Sequence, residues 1–262
     1  MSLTLYSWQY CPFAQRSRIA LAAKGVDYTL HEIDILQKPY PDWFMQLSPN
    51  GKVPTLVHEG RPLYESQVIS EYIDEVFDGP GLLPTDAYQR AVSRLLIAYG
   101  EENFIPSLYR LLRNQDPAQD ETLSAQALEH WRWLDARLRE FGLGQGLLFG
   151  RPTLADYSFG PFFQRWHLVE HYRFFEVPDT EEFARIRTFR EACEALELVR
   201  DTAPSTEELI KLYADYACDF DNARLPPGRR FSAFDATAWP LEQRPMPPRG
   251  LRFATLQTEQ IT

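Results

Sequence analysis

The sequence predicts a small α/β unit followed by an all-helical one. Three observations carry this. Short runs of strand-like alternation interleave with two helical stripes through the first 77 residues. A Pro- and Gly-rich stretch, residues 78–86 (DGPGLLPTD), then interrupts the pattern. Beyond it, periodicity is helical to about residue 218, without a strand.

In order, Leu3-Thr4-Leu5-Tyr6-Ser7 alternates as a strand. Pro12 opens a helical run to about Lys24, and Gly25 stops it. Val26 to Ile35 reads as a second strand, ending near Pro39 and Pro41. Pro54 to His58 and Pro62 to Tyr64 read as two strands around a Glu59-Gly60 turn. A helix from Ser66 carries Val68, Ile69, Tyr72, Ile73 and Val76 at helical spacing. Two long helices are predicted over 87–113 and 120–141, parted by a breaker region at 114–118. After a glycine-rich turn at 142–150, Thr153 to Asp156 has the Thr-x-x-Asp form of a helix cap. Further helices are predicted over about 180–198 and 205–218. The expected organisation is residues 1–77, a linker 78–86, a helical unit 87–220 and a tail 221–262. That tail holds six of the 20 prolines and is expected as ordered loop or wrapping arm.

Composition narrows the function classes. The chain has 262 residues, 44% hydrophobic and 24% charged, with a net charge of −10. That suits one or two globular domains and argues against wholesale disorder. The acidic balance makes a poor binder of phosphate backbones, so no nucleic-acid partner is expected. No run reaches the roughly 18 apolar residues of a membrane span, so no membrane partner is expected either. The first 15 residues hold no Lys or Arg, so no basic secretory start is present. Cys11, Cys193 and Cys218 are too scattered for a disulfide framework, and no zinc spacing joins them to the five histidines. A cytoplasmic chain with reduced thiols and no metal is the expectation.

Cys11-Pro12-Phe13-Ala14 follows the first strand and opens the first helix. A thiol there faces unpaired amides and the positive end of the helix dipole, which favour thiolate. The expected pKa therefore lies below that of a free thiol, with Arg16 adding to the effect if it points that way. The alternative is a buried structural cysteine. Ala14 stands where a C-x-x-C motif would place its second thiol, so an external thiol must resolve any disulfide formed by Cys11. That points to glutathione. At Val53-Pro54 a cis bond would turn the Val53 backbone outward to pair with an extended ligand, whereas most X-Pro bonds are trans. Ser66 as N-cap, beside Glu65, would suit an amino-acid head group, though a plain helix cap looks the same.

These signals, in this order, resemble the glutathione transferase superfamily: a thioredoxin-like N-terminal domain followed by an all-helical C-terminal domain. Cys11 to Arg16, Lys38-Pro39 with Asp42-Trp43-Phe44, Val53-Pro54, and Tyr64-Glu65-Ser66 with Glu71-Tyr72 resemble the cysteine-type, omega-like class. Leu209 to Tyr213 and Arg244-Pro245-Met246-Pro247-Pro248-Arg249 are similar to bacterial enzymes of lignin breakdown, which remove glutathione from an aryl-ketone thioether. The resemblance implies roles. Cys11 is the nucleophile, and glutathione the co-substrate. Phe13 contacts its cysteine region, Lys38 its glycine carboxylate, Val53 beside cis-Pro54 its cysteinyl backbone, and Glu65 and Ser66 its γ-glutamyl head. Pro41 lengthens the Lys38-to-Trp43 segment relative to animal omega enzymes. A second, aromatic substrate is expected against Phe104, Phe162, Arg165, Trp166, Tyr213 and Tyr216. A homodimer is implied. The competing activities are glutathione conjugation from a hydroxyl such as Ser7 or Tyr10, dehydroascorbate reduction, and non-enzymatic binding or a channel-like role.

Overall fold

The computed structural model describes residues 2–144, 146–221 and 224–256. Four strands form one sheet: β1 (Leu3–Ser7), β2 (Thr29–Glu32), β3 (Thr55–His58) and β4 (Arg61–Tyr64), in the order β2-β1-β3-β4. β1 pairs parallel with β2 and antiparallel with β3, which pairs antiparallel with β4. Helix α1 (Pro12–Lys24) makes the crossover between the parallel strands. Gly25 ends it in the left-handed conformation, its amide bonded to the Ala22 carbonyl at 3.0 Å. Glu59 and Gly60 both take positive φ, 49° and 77°, the backbone a two-residue hairpin turn needs. Leu5, Ile19, Leu56, Ile69 and Ile73 close the core between the sheet, α1 and α3 (Ser66–Val76).

Two expectations in this half are corrected. The second strand is only Thr29–Glu32, an exposed edge strand, rather than Val26 to Ile35. After it, the chain turns at Asp34, whose carboxylate accepts from the Leu36 amide at 2.9 Å, and Ile33 and Ile35 bury against Phe44 instead. Phe44 belongs to α2 (Asp42–Leu47), a helix where the sequence pattern predicts a loop between the second and third strands. A six-residue helix after two prolines is too short to display a period.

The second half is helical: α4 (Ala87–Tyr99), α5 (Ile105–Arg113), α6 (Asp120–Phe141), α7 (Leu154–Arg173), α8 (Ala184–Ala195), α9 (Glu197–Asp201), α10 (Thr206–Leu212) and α11 (Ala214–Ala217). The helix expected over 87–113 is split by a π-type turn at Gly100–Phe104. Pro106, which has no amide to donate, lies just beyond it, and Gly100 presses on the Phe159 ring, where a Cβ would meet carbon at 3.0 Å. The helix expected to about 198 breaks at Leu196, which is extended, and the one over 205–218 breaks at Tyr213. Asp156 fastens the start of α7. One carboxylate oxygen accepts from the Thr153 amide at 2.8 Å and hydroxyl at 2.6 Å, the other from the Leu148 amide at 2.9 Å. No helix among the described residues is long and apolar enough to cross a membrane.

Polar groups bolt α1 to the helical half. Gln15 donates to the Val199 carbonyl at 3.1 Å, Arg16 to the Ser158 carbonyl at 3.0 Å and Arg18 to the Thr202 carbonyl at 3.1 Å. In return Arg165 of α7 donates to the Gln15 side chain at 2.7 Å and the Tyr10 carbonyl at 3.1 Å. The described residues of the tail, 224–256, wrap back over this half as loop with two single 3-10 turns, burying Ala233, Phe234 and Leu251.

Candidate active site

Cys11 caps α1. Its backbone is extended (φ −76°, ψ 120°), and its Sγ accepts from the Ala14 amide at 3.5 Å. The thiol also approaches the Val53 carbonyl at 3.9 Å. The Val53–Pro54 and Lys38–Pro39 peptides are both cis. The expected depression of the Cys11 pKa is corrected by its surroundings. Burial pushes the thiol up, and it outweighs the Ala14 and Phe13 amides and the Arg165 and Arg18 guanidinium groups, which pull it down. Arg16 is otherwise engaged, by the Glu101 carboxylate and the Ser158 carbonyl.

A cavity of about 700 Å³ opens over the sulfur. Cys11, Phe13, Lys38, Val53, Pro54, Glu65 and Ser66 line it from the thioredoxin-like side. Ser66 is not the expected cap. Glu65 occupies that position, and Ser66 is the first helical residue, its Oγ accepting from Arg16 at 3.5 Å. Glu65 has φ 70° and ψ 115°, a conformation that costs a non-glycine residue about 1–3 kcal/mol. Glu65 lines the cavity at the head of α3 in this conformation.

On the helical side, Tyr213 and Tyr216 line the cavity as the sequence suggested. Phe104, Phe162, Arg165 and Trp166 do not. All four are fully buried, packed between α7 and its neighbours. Phe104 meets Trp131, Phe159, Phe163 and Trp166 with ring centroids 5.2 to 5.8 Å apart, and Phe162 meets Phe13 at 5.0 Å. The helical stripe that made them candidates is the stripe that builds the core. Arg165 stands behind the wall, and its charge pulls the Tyr213 phenol down against the larger effect of burial.

Trp8, Glu101, Tyr109, Arg113 and Phe234 also line the cavity, and the sequence did not single them out. Tyr109 and Arg113 share a helix face, but their spacing is also that of core residues. Phe234 lies in a tail without periodicity, where no sequence signal places it. Burial raises the pKa of Tyr109 and Tyr213 and pushes Tyr216 up to about 12, so all three phenols keep their protons at neutral pH. The hydroxyls proposed for conjugation are poorly placed. Ser7 and Tyr10 are buried outside the lining, and Ser7 accepts from Arg18 at 2.8 Å. Among the described residues, no three His, Cys, Asp or Glu side chains are grouped to hold a metal ion.

A thioredoxin-like domain with a thiol at its first helix, joined to a helical bundle across a shared cavity, defines a class of glutathione-handling proteins. Residues 5–81 match the glutathione S-transferase N-terminal domain and residues 97–197 the C-terminal domain. The chain is 32% identical over 171 residues to glutathione S-transferase omega-1 of Sus scrofa, spanning 64% of this chain and 68% of that one. Rice GST1 in complex with glutathione superposes with a TM-score of 0.73 at 30% identity, covering 84% of this chain and 98% of that one. Glutathione transferase Omega 3C from Trametes versicolor gives 0.70 at 27% identity, covering 82% and 90%. The chain belongs to the glutathione S-transferase family, with omega-class relatives.

Proposed function

We propose that this chain is a cysteine-type, glutathione-dependent thiol transferase whose preferred substrate is an aryl-ketone glutathione thioether. One observation carries the reading: the Cys11 sulfur faces a cavity with an aromatic wall opposite. Glutathione takes the thioredoxin-like side. Glu65 and Ser66 hold its γ-glutamyl head, Val53 pairs with its cysteinyl backbone beside Pro54, Phe13 flanks the cysteine, and Lys38 meets the glycine carboxylate.

In the first step the Cys11 thiolate attacks the thioether sulfur. An S–S bond forms as the C–S bond breaks, and its electron pair leaves on the α-carbon of the ketone as an enolate. Tyr213, polarised by Arg165 behind it, donates a hydrogen bond to the enolate oxygen. The carbon then takes a proton, and the ketone departs. In the second step a glutathione thiolate attacks the mixed disulfide, restoring Cys11 and releasing glutathione disulfide. The net change consumes one thioether and one glutathione and yields one ketone and one disulfide. The second glutathione supplies the electron pair and the proton.

Parallel turnover on an α-glutathionyl aryl ketone, a glutathione mixed disulfide and dehydroascorbate tests this. The aryl ketone is expected to give the highest kcat/KM, and Cys11→Ser to abolish all three activities. A higher kcat/KM for the mixed disulfide leaves a general thiol transferase in place of the lyase.

A further inference from the structure

Arg244 stands in the tail motif that the family domains, ending at residue 197, leave unexplained. It is buried, and its guanidinium binds backbone carbonyls on both sides of one residue. It donates to Ala233 and, at 3.0 Å, to Asp235, as well as to Trp239, over whose ring it stacks at 4.7 Å. The residue between is Phe234. Its flank is fixed a second time from α11, where the Asp215 carboxylate accepts from the Ala233 amide at 2.6 Å. A third bond runs from the Phe234 amide to Ser232 Oγ at 3.1 Å.

So held, Phe234 meets three cavity rings edge-on: Trp8 and Tyr213 with centroids 5.0 Å away, and Tyr216 at 5.5 Å. Trp8 comes from the thioredoxin-like half and the tyrosines from the helical half, so Phe234 is the piece that joins them. Arg244 is an expensive group to bury merely to shape a loop. A rigid ring at a cavity wall has an evident use, because edge-to-face packing rewards a flat aryl group and not an alkyl one.

Resting on the glutathione reading above, we propose that Phe234, held in place by Arg244, selects for an aryl group on the glutathione sulfur. Phe234 is the specificity-determining contact, and Arg244 is a positioning residue. The tail thereby supplies part of the second-substrate site.

Calorimetry on the full chain tests this with two unreactive probes, S-benzylglutathione and S-methylglutathione. The intact protein is expected to prefer the benzyl probe by about tenfold. Phe234→Ala and Phe234→Leu should both reduce that preference by about fivefold, and Arg244→Gln should move it in the same direction. The leucine variant keeps apolar bulk and guards against loss of fold. If both Phe234 variants keep the parent preference, the proposal is overturned. If Arg244→Gln alone keeps it, the positioning role is overturned. An intact protein that binds neither probe overturns the glutathione reading itself.

Discussion

At the scale of single residues, the site rests on a contest at Cys11 and a strained backbone at Glu65. Burial raises the Cys11 thiol against the Ala14 and Phe13 amides and two arginines. The thiolate of the unliganded protein is therefore expected to accumulate only above the roughly 8.5 of a free cysteine. Alkylation rate against pH measures this. A midpoint below that value would mean that the amides and arginines outweigh burial. Glu65, at φ 70°, gives a second expectation. Glu65→Gly should stabilise the fold by about 1 kcal/mol, strain relief exceeding the extra chain entropy of glycine. The same change should weaken glutathione binding by about 1–3 kcal/mol through loss of the carboxylate. Denaturant unfolding and calorimetry read the two effects separately, and a variant that loses both stability and affinity would refute the strain argument. Cys11 and Glu65-Ser66 were legible because each sits where a strand hands over to a helix, and Val53-Pro54 because it opens a strand. The direction of the Cys11 shift was not, because burial depends on how the folded chain packs around the thiol and not on its neighbours in sequence.

Among the elements, α7 and α8 meet through a charged knot. His167 lies 2.7 Å from Glu170 and 3.1 Å from Glu194, and Arg190 binds the same two carboxylates at 2.6 and 3.1 Å. Burial lowers the His167 pKa, but the hydrogen bonds to Glu170 and Glu194 outweigh it and raise the value to about 9. Burial likewise raises Glu170, yet its bond to His167 and the charge of Arg190 bring it down to about 2. The signs follow by linkage. The raised histidine contributes stability in full below about pH 6.5, and this is lost as pH climbs through about 9. The lowered carboxylate contributes above about pH 4.5, and this is lost as pH falls toward about 2. Tm is thus expected to fall between neutral pH and about pH 10. His167→Gln should flatten that decline; an unchanged slope would place its cause elsewhere. A cap signal marked the start of α7 and helical period marked α8, but neither shows such knots. Helical period also missed α2 and the break at Gly100, because six residues carry too little pattern and a π-type turn leaves the stripe nearly continuous.

For the whole molecule, a pair of chains is the expectation to test. Tyr64, Val68, Tyr88 and Leu95 stand exposed on or beside β4, α3 and α4, where a partner surface would cover apolar area. Light scattering at micromolar concentration is expected to give twice the 30.5 kDa of one chain. A mass of one chain would refute the pairing. The two-part architecture was readable because strand alternation stops at a Pro- and Gly-rich stretch. The tail's course was not. Several of its anchors join side chain to backbone, such as Arg173 to the Leu251 carbonyl at 2.8 Å and His171 with the Pro247 carbonyl at 2.9 Å, and such bonds leave no periodic trace.

The polar seam along α1 bears on how such a protein can change over generations. Gln15, Arg16 and Arg18 reach carbonyls in or beside α7 and α9, and Arg165 answers from the other side. Separated from its neighbour, the first half would leave the Gln15 amide and the Arg16 guanidinium without their partners across the seam, on a surface shaped to hide them. It is therefore no interchangeable cassette. A change in α7 or α9 that moves these carbonyls bears on the helix that Cys11 caps. Inheritance must keep both halves in step even where only one of them carries the thiol.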